Sequence, residues 1–137
     1  MDRLARSSGT LILVDDAERT SSGDSGPITG LGGMTALKAQ LNVTDVSGLP
    51  TRPQEFTPRL TVVVEETLDG TNWNQIGDFL DPPTPTFPNG EPMGAVGSRT
   101  ITLDGPLAET IRVGWTITGT SPLFRFSVTS PPCQPGA

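Results

Sequence analysis

The sequence predicts an all-β protein, an antiparallel β-sandwich of about seven strands, Ig-like or jelly-roll-like, with an extended N-terminal arm. Three observations predict it. Apolar residues alternate with polar ones at period two in several short runs, the pattern of a strand with one buried face. Breakers are abundant, with 16 glycines and 14 prolines in 137 residues, so no long helical period survives. Turn signals fall between the runs at the spacing expected of a sandwich. The length suits a single core.

Residues 9–14 (GTLILV) have strand composition without alternation, so this strand should be buried on both faces or covered by a neighbour. Residues 15–33 hold five glycines and four carboxylates and read as a loop, so 1–33 as a whole is expected to be an arm and loop reaching away from the core. Residues 34–46 alternate cleanly through Leu37, Ala39, Leu41 and Val43. Three prolines then interrupt the chain before the next strand, residues 59–66, which turns Leu60, Val62 and Val64 to one face.

Asp69-Gly70 separates that strand from residues 73–79 and predicts a hairpin, because glycine accepts the positive φ of the turn. Trp73 and Phe79 should share its buried face. Residues 80–97 contain five prolines and form an extended insert loop anchored by Phe87 and Met93. After the short strand 98–103, residues 111–129 read as a closing hairpin that buries Ile111, Val113, Trp115, Ile117, Phe124, Phe126 and Val128. The sandwich domain is thus expected at 34–129 and a tail at 130–137.

Composition excludes several kinds of chemistry. The net charge is −6 and the few basic residues are scattered, which argues against a nucleic-acid surface. Histidine is absent and Cys133 is the single cysteine, so neither a His/Cys metal site nor an internal disulfide is expected, and no cofactor. The apolar run Leu11, Ile12, Leu13 and Val14 is much shorter than a membrane span or a signal-peptide core, so no membrane association is expected.

Gly23-Asp24-Ser25-Gly26-Pro27 looks like the nucleophile segment of a serine protease, but that mechanism needs a base to take the serine proton and no histidine exists to do so. The carboxylates of Asp15, Asp16, Glu18 and Asp24, and of Asp69, Asp78 and Asp81, lack calcium-loop spacing and read as solvated charge. Asn42-Val43-Thr44 matches a glycosylation sequon on the polar face of a strand. Trp73, Trp115, Phe124 and Phe126 alternate onto core-facing positions, and Phe87 is the aromatic least expected in the core, so it is the candidate for a carbohydrate contact.

Two runs carry a resemblance. EETLDGTNWNQIGDF (65–79) and IRVGWTITGTSPLFRFSV (111–128), with LKAQLNVTDVSG (37–48) before them, resemble small structural proteins from the head and tail gene clusters of long-tailed bacteriophages, especially those of actinobacteria. The resemblance implies a non-enzymatic virion protein made in the host cytoplasm. Its implied role is a capsid decoration or stabilising protein on the capsid surface, bound to the major capsid protein or other virion proteins. It also implies a homo-oligomer, trimeric if it occupies threefold positions. The alternatives are a tail or head-to-tail connector component, or a carbohydrate-binding module. Residues 1–33 and 80–97 depart from the shared pattern, so the expected partner contacts are Leu11, Ile12, Leu13, Val14, Phe87 and Met93.

Overall fold

The computed structural model describes residues 6–7, 10–81, 84–88 and 90–130. Its strands, in chain order, are β1 (Arg6–Ser7), β2 (Thr10–Arg19), β3 (Gly23–Asp24), β4 (Ile28–Thr29), β5 (Ala36–Ser47), β6 (Arg59–Thr67), β7 (Asn74–Asp78), β8 (Gly97–Asp104), β9 (Thr110–Thr118) and β10 (Leu123–Ser130). Seven of them are five residues or longer, and no helix occurs among the described residues.

Two antiparallel sheets pack face to face. One runs β1-β2-β10-β5-β8, and the other runs β3-β9-β6-β7 with β4 also on β9. In an Ig sandwich the last two strands lie in one sheet. Here β9 and β10 lie in opposite sheets, and β10 sits between β2 and β5. When β3 and β4 are counted as one strand interrupted at Gly26-Pro27, each sheet has four main strands wound in the order of a jelly roll.

The alternating residues build the core. Leu37, Ala39, Leu41 and Val43 of β5, Leu60, Val62 and Val64 of β6, Ile111 and Val113 of β9, and Phe124, Phe126 and Val128 of β10 are all buried. Apart from Ala39, each such side chain contributes roughly 1.5–3 kcal/mol by leaving water. Trp115 is only partly buried. Its ring meets Phe126 edge-on at 5.6 Å, and the Arg19 guanidinium stacks 4.7 Å from its centroid.

Three local expectations are corrected. Residues 111–129 are not a hairpin: β9 bonds to β6, β3 and β4, while β10 bonds to β2 and β5. Residues 119–122 therefore step from one sheet to the other, across a gap of about 10 Å. Trp73 does not share the buried face of Phe79. A bulge shifts the β6–β7 register between Val64↔Gly77 and Glu65↔Gln75, and one extra residue reverses the facing of what precedes it. Phe79 is buried, whereas Trp73 is half-buried beneath the Arg112 guanidinium at 4.2 Å.

The third correction concerns the N-terminal segment. Residues 10–19 form β2, paired along its length with β10. Register shifts against β10 fall between Phe126 and Val128 and between Val128 and Thr129. These bulges let the adjacent residues Leu13 and Val14 both face inward, which accounts for an apolar run that does not alternate. Ile28 and Leu31 are buried as well and β1 pairs with β2, so residues 10–31 belong to the folded sandwich and not to an arm.

The Asp69-Gly70 hairpin forms as the sequence predicts, with Gly70 at φ 82°. The Asp69 carboxylate accepts bonds from the backbone N–H groups of Asn72 and Thr71, each at 2.8 Å, and from the Asn72 side chain at 2.7 Å. Those donors hold its carboxyl well below the ordinary range, the Asn72 N–H contributing most. The insert folds back on the sandwich. Met93 and Leu60 exchange backbone bonds of 2.7 and 2.8 Å, and Arg99 reaches the Phe79 and Glu91 carbonyls at 2.8 and 2.7 Å.

Candidate functional site

The residues expected to contact a partner are scattered by the fold. Leu11, Leu13 and Val14 are core residues of β2, and Met93 is buried against β6, so none of the four can meet a partner without unfolding. The physical reason is that the apolar stretch of β2 completes the first sheet beside β10, and the insert needs Met93 to seal its return. Ile12 lies on the outer face and is 37% exposed. Phe87 is partly buried, with the Arg59 guanidinium 5.2 Å from its ring. Cys133 lies outside the described residues.

The serine-protease-like segment has a structural part. Ser25 Oγ donates to the Gly26 carbonyl at 2.8 Å and accepts from Val113 N–H at 3.0 Å, while the Asp24 carboxylate accepts from Gly26 N–H. The bond from Val113, with Ser25 N–H donating to the Val113 carbonyl at 2.8 Å, ties the interrupted strand of β3 and β4 to β9, and the other two shape the segment itself. The carboxylates are similarly occupied: Asp16 pairs with Arg125 at 3.2 Å and Asp81 with Arg99 at 2.9 Å. Among the described residues no three His, Cys, Asp or Glu side chains come together in a group that could hold a metal ion. On the outer face of the second sheet, Arg112 pairs with Glu65 at 2.8 Å while covering Trp73. Both charges remain partly solvated, so the pair contributes no more than about 1 kcal/mol.

The sequence reading missed the apolar groups that do face solvent. Phe56 is 73% exposed, Leu49 61%, Val96 63% and Leu68 85%. Strand directions place Leu49, Phe56 and Val96 at one end of the sandwich, where the 48–58, 79–96 and 119–122 links meet, and Leu68 at the other end.

The 48–58 link is internally braced. Glu55 Oε1 accepts from Thr51 N–H at 2.7 Å, Thr51 Oγ1 at 3.0 Å and Arg52 N–H at 3.1 Å, and the Thr51 N–H does most to hold its carboxyl below the usual range. Phe56 N–H donates to Thr120 Oγ1 at 2.6 Å, and Thr120 N–H returns a bond to the Phe56 carbonyl at 3.2 Å. Gly48, at φ 91°, lies directly against the Ser121 backbone. The loop thus offers two apolar side chains on a backbone fixed at both of its flanks. Such exposed apolar groups mark contact surfaces more often than chemistry.

No protein-family model matches the chain, and no curated protein matches it significantly.

Proposed function

We propose that the protein is a non-enzymatic structural component of a long-tailed bacteriophage particle, a capsid decoration or stabilising protein that binds the shell formed by the major capsid protein. The support for this reading is the resemblance carried by residues 65–79 and 111–128, together with the braced apolar end of the sandwich. A module that clips onto a shell needs a rigid core and a preorganised contact, since a contact already fixed loses little entropy on binding. The 48–58 loop, with Leu49 and Phe56 exposed and its backbone held by Glu55 and Thr120, has those properties.

The carrying observation is that Phe56 projects into solvent although its own backbone is bonded on both sides to Thr120. The test is titration of purified protein against preformed empty shells. Saturable, stoichiometric binding is expected. The paired substitution Phe56→Ser and Leu49→Ser should weaken it more than about tenfold, as loss of apolar anchors does, without lowering the melting temperature. Full binding by that variant would remove the loop from the reading. A closed ring in solution with no shell binding would favour a tail or head-to-tail position instead. Deleting residues 1–33 is unsuitable as a test, because it removes β2 and the buried side chains Leu11, Leu13, Val14, Ile28 and Leu31.

A further inference from the structure

The sandwich has four lateral edges, and three are blunted in the ways that keep strands from pairing with other chains. On the β2 side, β1 covers Thr10 and Leu11, and the rest of β2 is bulged twice and carries Asp15, Asp16, Glu18 and Arg19. The β3 and β4 edge consists of two-residue strands parted by Gly26-Pro27. The β7 edge is five residues long, is bulged, and ends in Asp78.

The β8 edge differs from all of these. Its eight residues run in unbroken register with β5, from Gly97↔Val43 to Asp104↔Ala36. It contains neither lysine nor proline, and Thr100, Ile101 and Thr102 at its centre are β-branched residues suited to sheets. Its one internal charge, Arg99, is turned inward to the Phe79 and Glu91 carbonyls and to Asp81.

Backbone phase shows what this edge offers. Gly105 N–H donates to the Thr35 carbonyl, which continues the β5–β8 register. Leu103, Ile101 and Arg99 therefore direct their N–H and C=O groups to β5, because bonded residues alternate along an antiparallel strand. The N–H and C=O groups of Ser98, Thr100, Thr102 and Asp104 point away from the sheet, and β8 has no second neighbour among the described strands.

We propose that β8 is a self-association edge, on which two copies of the chain pair antiparallel about a two-fold axis at Ile101, joining their first sheets into one. The register is set by the strand itself. Centred on Ile101, each Thr100 faces Thr102 of the second copy and each Ser98 faces Asp104, so all four outward residues enter the ladder. Threonine pairs of this kind are favourable, and no like charges stand opposite one another. A shift of the axis to Thr102 places Ser98 against Pro106, which has no N–H to give. Ile101, half-buried at the rim, is covered by its own copy. The association closes at two chains, since the surface is isologous. It stands on the strand edge alone and does not depend on shell binding, which is measured separately.

Sedimentation equilibrium on the full chain tests it, with an expected mass of twice 14.4 kDa at concentrations well above micromolar. Thr100→Pro removes an outward N–H while leaving every bond to β5, so it should stay folded and weaken self-association more than about tenfold, each lost bond counting twice across the two-fold. The register is tested by oxidation of Ile101→Cys in a Cys133→Ser background. Directly opposed residues of a non-bonded antiparallel pair lie about 4.5 Å apart at Cα, within reach of a disulfide, so a covalent dimer is expected. Ser98→Cys in the same background should not crosslink. A monomeric or trimeric full chain, an undiminished dimer of Thr100→Pro, or equal crosslinking through Ser98→Cys would overturn the proposal.

Discussion

The β6–β7 and β9–β10 segments look alike in sequence, each a pair of alternating runs around a short glycine-containing link, yet only the first is a hairpin. In β6–β7 the link is Asp69-Gly70, and the turn is made locally: the Asp69 carboxylate gathers the N–H groups that the reversal exposes, and Gly70 takes the positive φ. In β9–β10 the link Gly119-Thr120-Ser121-Pro122 bonds outward instead, to Phe56 of the 48–58 loop. Its strands find partners in different sheets. Alternation specifies that a run is a strand with one buried face, whereas local turn chemistry decides whether neighbouring strands pair.

Breaking the layer-crossing segment should cost most. Phe126 of β10 is fully buried and meets Trp115 of the opposite sheet, so Phe126→Ala is expected to lose about 3–5 kcal/mol in denaturant unfolding. A loss below 1 kcal/mol would mean that the sheets do not meet there.

Two glycines sharpen the comparison, because both adopt left-handed φ but in different surroundings. At Gly48, φ 91°, an added methyl would collide with the Ser121 backbone, so Gly48→Ala should cost the backbone penalty plus about 1–3 kcal/mol of overpacking. At Gly70, φ 82°, nothing lies within 4 Å of the added atom, so Gly70→Ala should cost only the backbone penalty, about 1–2 kcal/mol. Equal losses in paired unfolding curves would show that the 48–58 loop is not seated on the β9–β10 link.

The smallest effect belongs to Asp69. Its carboxyl is held below the ordinary value, chiefly by the Asn72 and Thr71 N–H groups, so the ionised form is favoured in the folded state. A depressed folded value contributes stability above the unfolded value of about 3.9, and that stability is lost as pH falls below it. Thermal melts of the wild type and Asp69→Asn should therefore differ most near neutrality and converge as pH drops below about 4. A gap independent of pH would show that the charge of the Asp69 carboxylate does not stabilise the turn.

Most strands were legible because their patterns are local. Leu37 to Val43, Leu60 to Val64 and Phe124 to Val128 bury alternate residues as the sequence implies. Hidden features depended on pairing or on bulges. Asp15, Asp16 and Glu18 made the second half of β2 look like a loop, although they occupy its solvent side and edge. A bulge cannot be read from composition, so the facing of Trp73 and the double burial of Leu13 and Val14 were out of reach. The exposed end was within reach: Leu49 and Phe56 sit in a Pro-rich polar link with no strand period to absorb them, and such unabsorbed apolar residues are the signal to look for.

Locating the chain in an assembled particle by cryo-electron microscopy decides the proposed virion role. A decoration protein is expected to give sandwich-sized density on the outer shell surface, with the 48–58 loop against the capsid protein. Density confined to the tail or the connector, or a complete particle without the chain, would contradict it.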